Sequence, residues 1–147
     1  MNHTSYQIDL PQDAPVVVFF NGMKALNLKG FFWLWRQILL GKLHHVTQAL
    51  GCLETKLAIC SPTEAVIVSY WQDDKSLKEF FHSPLHRKMM KNTVKIIAAD
   101  KKAIALFNET YRPLKSGMYF NDPQGLAKIY PAIERNSASS NAHAVSS

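Results

Sequence analysis

"CLETKLAICSPTEAVIVSYW", residues 52–71, is the stretch whose reading decides the fold. Two runs rich in apolar and β-branched residues, Cys52–Cys60 and Ala65–Trp71, flank Ser-Pro-Thr-Glu at 61–64. Proline and short polar side chains favour a turn there, so the segment reads as a β-hairpin. Before it, Gly30 opens a helical pattern in which Phe32, Trp35, Leu39, Leu43, Val46 and Leu50 recur every three or four residues, and Gly51 is its natural stop. Earlier still, "PVVVFFNGM" (Pro15–Met23) reads as a strand closed by Asn21-Gly22.

On the C-terminal side the pattern repeats. Asp73 or Asp74 caps a short helix through Phe81, and its acidic first turn suits the helix dipole. Ser83-Pro84 then pairs an N-cap with proline at the first helical position. That helix runs to about Ala99, with Met89, Met90, Val94 and Ile97 as its apolar side and a lysine-rich wet side. "AIALFNETY" (Ala103–Tyr111) is a fourth strand, "SGMYFND" a short fifth, and "GLAKIYPAIE" a last helical turn.

Strand, helix, strand, strand, helix, strand is an α+β, ferredoxin-like split βαβ plan with an antiparallel sheet. Residues 1–14 read as a polar leader, 15–135 as the ferredoxin-like domain, and 136–147, small and polar, as a disordered tail. "VVVFF", "AVIV" and "AIALF" do not alternate apolar with polar residues. A sheet wet on one face would alternate. Both faces must therefore be covered, and helices suffice for one. A second copy on the other face makes a homodimer of the dimeric α/β-barrel kind.

Bulk composition narrows the class. At 147 residues with 47% hydrophobic and 19% charged residues, the chain is long enough for a real core and ordinary for a globular protein. Phe31–Leu40 is short of the roughly 20 apolar residues of a membrane span and is interrupted by Arg36 and Gln37. The start of the chain is polar, so a cytoplasmic protein is expected. The net charge of +6 concentrates in Arg87, Lys88, Lys91, Lys95, Lys101 and Lys102, read as the solvated face of a helix. No zinc-finger or ribonucleoprotein motif accompanies it, so no nucleic-acid partner is expected. Cys52 and Cys60 share one strand, where eight residues span about 26 Å. A disulfide needs Cα atoms roughly 4.4–6.8 Å apart, so two buried free thiols are expected.

In order, "VVVFFNGMKALN", "FFWLWRQIL", "YWQDDKSLKEFFHSPLHRKMM", "FNETYRPLKSGMYFND" and "GLAKIYP" resemble a family of small monooxygenase-like bacterial proteins. That family is distantly similar to spheroidene monooxygenase and sits within the dimeric α/β-barrel superfamily. The resemblance spans about residues 15–133 and implies a subunit that dimerises, with a pocket between sheet and helices. It does not imply one reaction. The superfamily includes cofactor-free monooxygenases of aromatic polyketides, haem enzymes such as aldoxime dehydratase and chlorite dismutase, and isomerases or cyclases. One departure stands out: Asn108 lies where the family commonly has histidine, in a tryptophan-histidine-glutamate-threonine-tyrosine run.

Among candidate residues His86 is the sharpest, because it lies on or beside the apolar side of its helix. It reads as a general base, as a haem axial ligand (His82 being the alternative), or as a buried histidine with a hydrogen-bond partner. In "NETY", Asn108 and Thr110 point one way and Glu109 and Tyr111 the other. Glu109 in a central strand needs a partner, for which Arg36 or Lys24 is available. The expected catalytic group is thus His86, Glu109, Tyr111 and Arg36, with Asn21, Met23, Trp35, Tyr70 and Asn108 binding substrate. No metal site is expected. The reading is an enzyme that oxygenates or isomerises a small hydrophobic, carbonyl-bearing or polyene-like molecule without a cofactor. A haem enzyme and a non-catalytic module that binds lipophilic ligands are the alternatives. "GFFWLWRQILLGKLHH" (residues 30–45) reads as core plus pocket wall, and docking to a membrane surface as a lesser alternative.

Overall fold

A computed structural model of the chain describes residues 4–135, apart from the side chains of residues 42–44. The expected tail at 136–147 and the side chain of Leu43 lie outside the described residues. In chain order the elements are β1 (Ser5–Ile8), β2 (Val17–Ala25), α1 (Leu28–Leu39), a 3-10 helix (Lys42–Gln48), β3 (Cys52–Ser61) and β4 (Glu64–Trp71). Then follow α2 (Asp74–His82), α3 (Pro84–Ala99), β5 (Ile104–Tyr111), β6 (Tyr119–Phe120), a second 3-10 helix (Gly125–Lys128) and β7 (Ala132–Arg135).

Pro15–Arg112 forms one compact unit. Its sheet runs β3-β4-β2-β5, antiparallel throughout, which is the ferredoxin-like order. Along β4 burial alternates strictly: Ala65, Ile67, Ser69 and Trp71 are buried, while Val66, Val68 and Tyr70 are half-buried. The buried side meets the helices in two separate clusters. Val17, Phe19 and Trp71 pack with Val46 and with Leu77 and Phe80 of α2. Met23, Ala25, Ala65 and Ile67 pack under Leu34 of α1. The other unit holds a three-stranded sheet of order β6-β1-β7. The expected polar leader thus contains a strand, with Tyr6 opposite both Tyr119 and Glu134.

Three local expectations change in the fold. The single long helix is two pieces, because the chain turns at Gly41 (φ 63°) between α1 and the 3-10 helix. Consequently the face of α1 that packs is Gly30, Leu34 and Gln37, while Phe32 and Leu39 of the expected stripe are exposed. Gly30 sets this orientation: a Cβ there would lie 1.8 Å from the Ala103 carbonyl oxygen, so only glycine lets α1 approach the start of β5. Asn27 caps α1 by accepting from the Gly30 N–H at 2.9 Å and donates to Asp100 at 2.9 Å, tying the same corner together. On α3 the buried positions are Thr93 and Ile96, and Val94 and Ile97 are exposed. The polar Thr93 inside, facing a cavity, is what shifts the stripe from the apolar pattern. Finally, Cys60 is exposed rather than buried, since β3 is an edge strand, whereas Cys52 is half-buried and burial pushes its thiol up to about 11.

Gly30→Ala is expected to lower unfolding free energy by roughly 1–3 kcal/mol through overpacking against a backbone carbonyl. Phe32→Ala, on the exposed side of the same helix, should change it by no more than about 0.5 kcal/mol. Urea denaturation followed by circular dichroism checks both.

Candidate functional site

Where the two core clusters fail to meet, a cavity of about 140 Å³ remains between the sheet and α3. Its sheet wall is Phe19, Asn21 and Met23 of β2, Ile67 and Ser69 of β4, and Leu106 and Asn108 of β5. Its helix wall is Phe80 and Phe81 of α2 and His86, Met89, Met90 and Thr93 of α3. The lining is apolar with a few convergent polar groups, the usual character of a small-molecule site.

His86 is positioned by its local sequence. Ser83 caps α3: its Oγ accepts from the His86 backbone N–H at 3.1 Å and donates to the Phe80 carbonyl at 2.6 Å. Pro84 fills the first helical position. The imidazole Nδ1 lies 3.0 Å from the Phe81 carbonyl oxygen. A carbonyl only accepts, so Nδ1 carries the proton and Nε2 keeps a lone pair. The rings of Phe80 and Phe81 contact the imidazole edge-on at 5.1 and 5.3 Å. Burial pushes the His86 pKa below the ordinary 6.5; the Phe81 carbonyl opposes this, and the charge of His82 adds to it. The first turn of a helix also disfavours a cation. A neutral imidazole results, with the lone pair on Nε2.

Asn21 and Asn108 are direct partners across β2 and β5. Directly opposed residues point to the same face with Cβ atoms about 4.5–5.5 Å apart, so two carboxamides stand side by side on the cavity floor. Ser69, almost fully buried, accepts from Trp71 Nε1 at 2.8 Å and donates to the Phe19 carbonyl at 3.5 Å.

The structure thus brings together His86, Asn21, Met23 and Asn108. Glu109, Tyr111 and Tyr70 stand on the opposite face of the sheet, by the strand register that pairs Phe20 with Glu109 and Val18 with both Tyr111 and Tyr70. Glu109 needs no buried cation there: β5 is an edge strand exposed from Ala105 onward, and the Tyr111 hydroxyl donates to the Glu109 carboxylate. That bond, first, raises the Tyr111 pKa. Arg36 is exposed in a groove between α1 and α3 with Gln37 and Lys95. Trp35 donates its indole N–H to the Pro62 carbonyl at 2.8 Å, bracing the β3–β4 turn. Ser69, Thr93, Phe81 and the two methionines were not anticipated as lining. Ser69 was the findable one, a polar residue alternating with Ile67 and Trp71 on a buried strand face.

Among the described residues no group of three or more His, Cys, Asp or Glu is placed to hold a metal ion. The space beside His86, about 140 Å³, is below the roughly 300–1,000 Å³ usual for ligand pockets, and as it stands it does not enclose a haem macrocycle.

Because the folded pKa of His86 is lowered, the unfolded chain binds the extra proton first as pH falls. Its contribution to stability is therefore complete above pH 6.5 and declines as pH drops through the lowered folded value. Denaturation midpoints measured from pH 8 to 5 should show this decline, and His86→Gln should flatten it.

The fold has solved counterparts. Superposition on SnoaB, a cofactor-independent oxygenase from Streptomyces nogalater, gives a TM-score of 0.50 at 12% identity, covering 68% of this chain and 94% of that one. Rv0793 from Mycobacterium tuberculosis also gives 0.50, at 16% identity, covering 67% of this chain and 96% of that one. At such identities the likeness concerns the fold. No curated protein matches the sequence. The family model described as Monooxygenase af470-like matches residues 16–128, from the first strand of the ferredoxin-like sheet to the second 3-10 helix, and the chain belongs to that monooxygenase-like family.

Proposed function

We propose that the chain is a cofactor-free oxygenase of a small one- or two-ring ketone whose CH₂ group is acidified by a neighbouring carbonyl. The observation that supports this most is the neutral His86 imidazole, its Nδ1 tied to the Phe81 carbonyl, sharing one apolar cavity with the Asn21–Asn108 pair. Nε2 takes a proton from the CH₂ group. The negative charge moves to the substrate oxygen, where the two carboxamide N–H groups stabilise it. The carbanion passes an electron to dioxygen, and recombination forms a hydroperoxide that recovers the proton. Loss of the remaining C–H proton and cleavage of the O–O bond give a new carbonyl and water. The balance is R₂CH₂ + O₂ → R₂C=O + H₂O, and the substrate supplies every electron. The aromatic and methionine lining holds the rings against the sheet.

The outer sheet face supports a homodimer. Within the Pro15–Arg112 unit all three helices lie on the other side, leaving Val18, Phe20, Val66, Val68 and Phe107 on a face suited to a second sheet.

With 2-tetralone as a test ketone, wild-type protein should consume one O₂ per ketone in an oxygen-electrode assay. His86→Gln should lower kcat by about 10²–10⁴. Asn21→Ala and Asn108→Ala should each cost roughly 10-fold or more while leaving the fold intact. Conversion without O₂ uptake would mark isomerisation by the same base. Absence of turnover across one- and two-ring ketones, or an unaffected His86→Gln variant, would contradict the reading. Light scattering should give a dimer mass, and Val68→Asp a monomer.

A further inference from the structure

The outer face of α1 carries an apolar ridge that the oxygenase reading does not use. Leu28, Phe32 and Leu39 are 75%, 69% and 79% exposed. Their spacing of four and seven residues puts them on one line of the helix, beside the half-buried Trp35. Lys29 and Arg36 flank that line, both exposed. Arg36 opens onto a groove whose far side is α3, with Asn92, Lys95 and Ala99. Arg87, Lys88, Lys91 and Lys95 are exposed along α3, and neither helix contains an aspartate or glutamate. Asp100, which caps the C-terminus of α3, is occupied by Asn27 and the Lys102 N–H, with Lys29 and Lys102 close by.

We infer that α1 and the adjoining α3 groove dock on an anionic lipid surface. Each feature supports that occupant over others. Two copies meeting by this face would oppose Lys29, Arg36 and Lys95 of one to those of the other, so the partner carries negative charge. A nucleic-acid backbone would satisfy the cations but has no use for a protruding ridge of Leu28, Phe32 and Leu39. A bilayer interface takes both: leucine and phenylalanine enter at the acyl boundary while lysine and arginine stay among the phosphates. At 12 residues α1 is too short to cross, and no described helix is long and apolar enough to do so, so the helix lies in the interface. The inference stands independently of the reaction proposed above.

Sedimentation of the full chain with vesicles tests it. Phosphatidylcholine vesicles containing phosphatidylglycerol should carry the protein down and release it in high salt, and pure phosphatidylcholine should carry far less. The combined variant Leu28→Ser, Phe32→Ser and Leu39→Ser alters only exposed side chains and should abolish sedimentation with its melting temperature unchanged. Arg36→Gln with Lys95→Gln should weaken partitioning roughly 30-fold, and it retains the core should the first variant fold poorly. No sedimentation with anionic vesicles would overturn the inference. So would equal binding by both variants, or salt-sensitive binding to duplex DNA in place of vesicles. A loss of oligomer mass in the serine variant would assign the ridge to a second copy and overturn it too.

Discussion

The arrangement of the site depends on the register of β2 against β5, in which the ring of Phe107 lies on Gly22. A Cβ on Gly22 would sit 1.8 Å from the ring, so with the ring in this position the aromatic residue of β5 lies against a residue that has no side chain. That register sets Gly22 opposite Phe107 and Asn21 opposite Asn108 on the other face. Because side chains alternate along a strand, a slip of one residue would push the Phe107 ring into the cavity and turn Asn108 away from it. The register of β2 with β5 therefore decides which chemistry reaches the inner face.

The cavity itself follows from how the helices divide the sheet. α1 approaches closely through Gly30 and covers Met23, Ala25, Ala65 and Ile67. α2 covers Val17, Phe19 and Trp71. Neither fills the space between, so α3 crosses it with His86, Met89, Met90 and Thr93, side chains that leave room for a small molecule. The Ser83-Pro84 start of α3 then determines where the histidine stands and which of its nitrogens is free.

Much of this was legible in the sequence where local chemistry decides it. The hairpin at 52–71, the caps at Asp73 and Ser83, and the order of strands and helices rest on turn residues, caps and periodicity within a few positions. The parity of "NETY" was equally readable, since alternation alone separates Asn108 from Glu109 and Tyr111. What that parity could not say is which side faces the helices, because this depends on pairing with β2, more than 80 residues away in the chain. The same long-range fact makes β5 an edge strand and leaves Glu109 in solvent with Tyr111 as its donor. The α1 stripe was hidden for a different reason. Phe32 and Leu39 are as hydrophobic as core residues, and only the approach at Gly30 and the turn at Gly41 reveal that they point outward. The strand at Ser5–Ile8 was hidden in a polar leader, its partners lying at the far end of the chain.

Whether chemistry occurs on the cavity floor at His86 is decided by a crystal structure with 2-tetralone bound under exclusion of oxygen. The ketone is expected between Phe81 and Met89, its oxygen toward Asn21 and Asn108 and its CH₂ group within proton-transfer reach of His86 Nε2. A ketone bound instead on the opposite sheet face, against Tyr70, Glu109 and Tyr111, with the cavity closed, would contradict that placement.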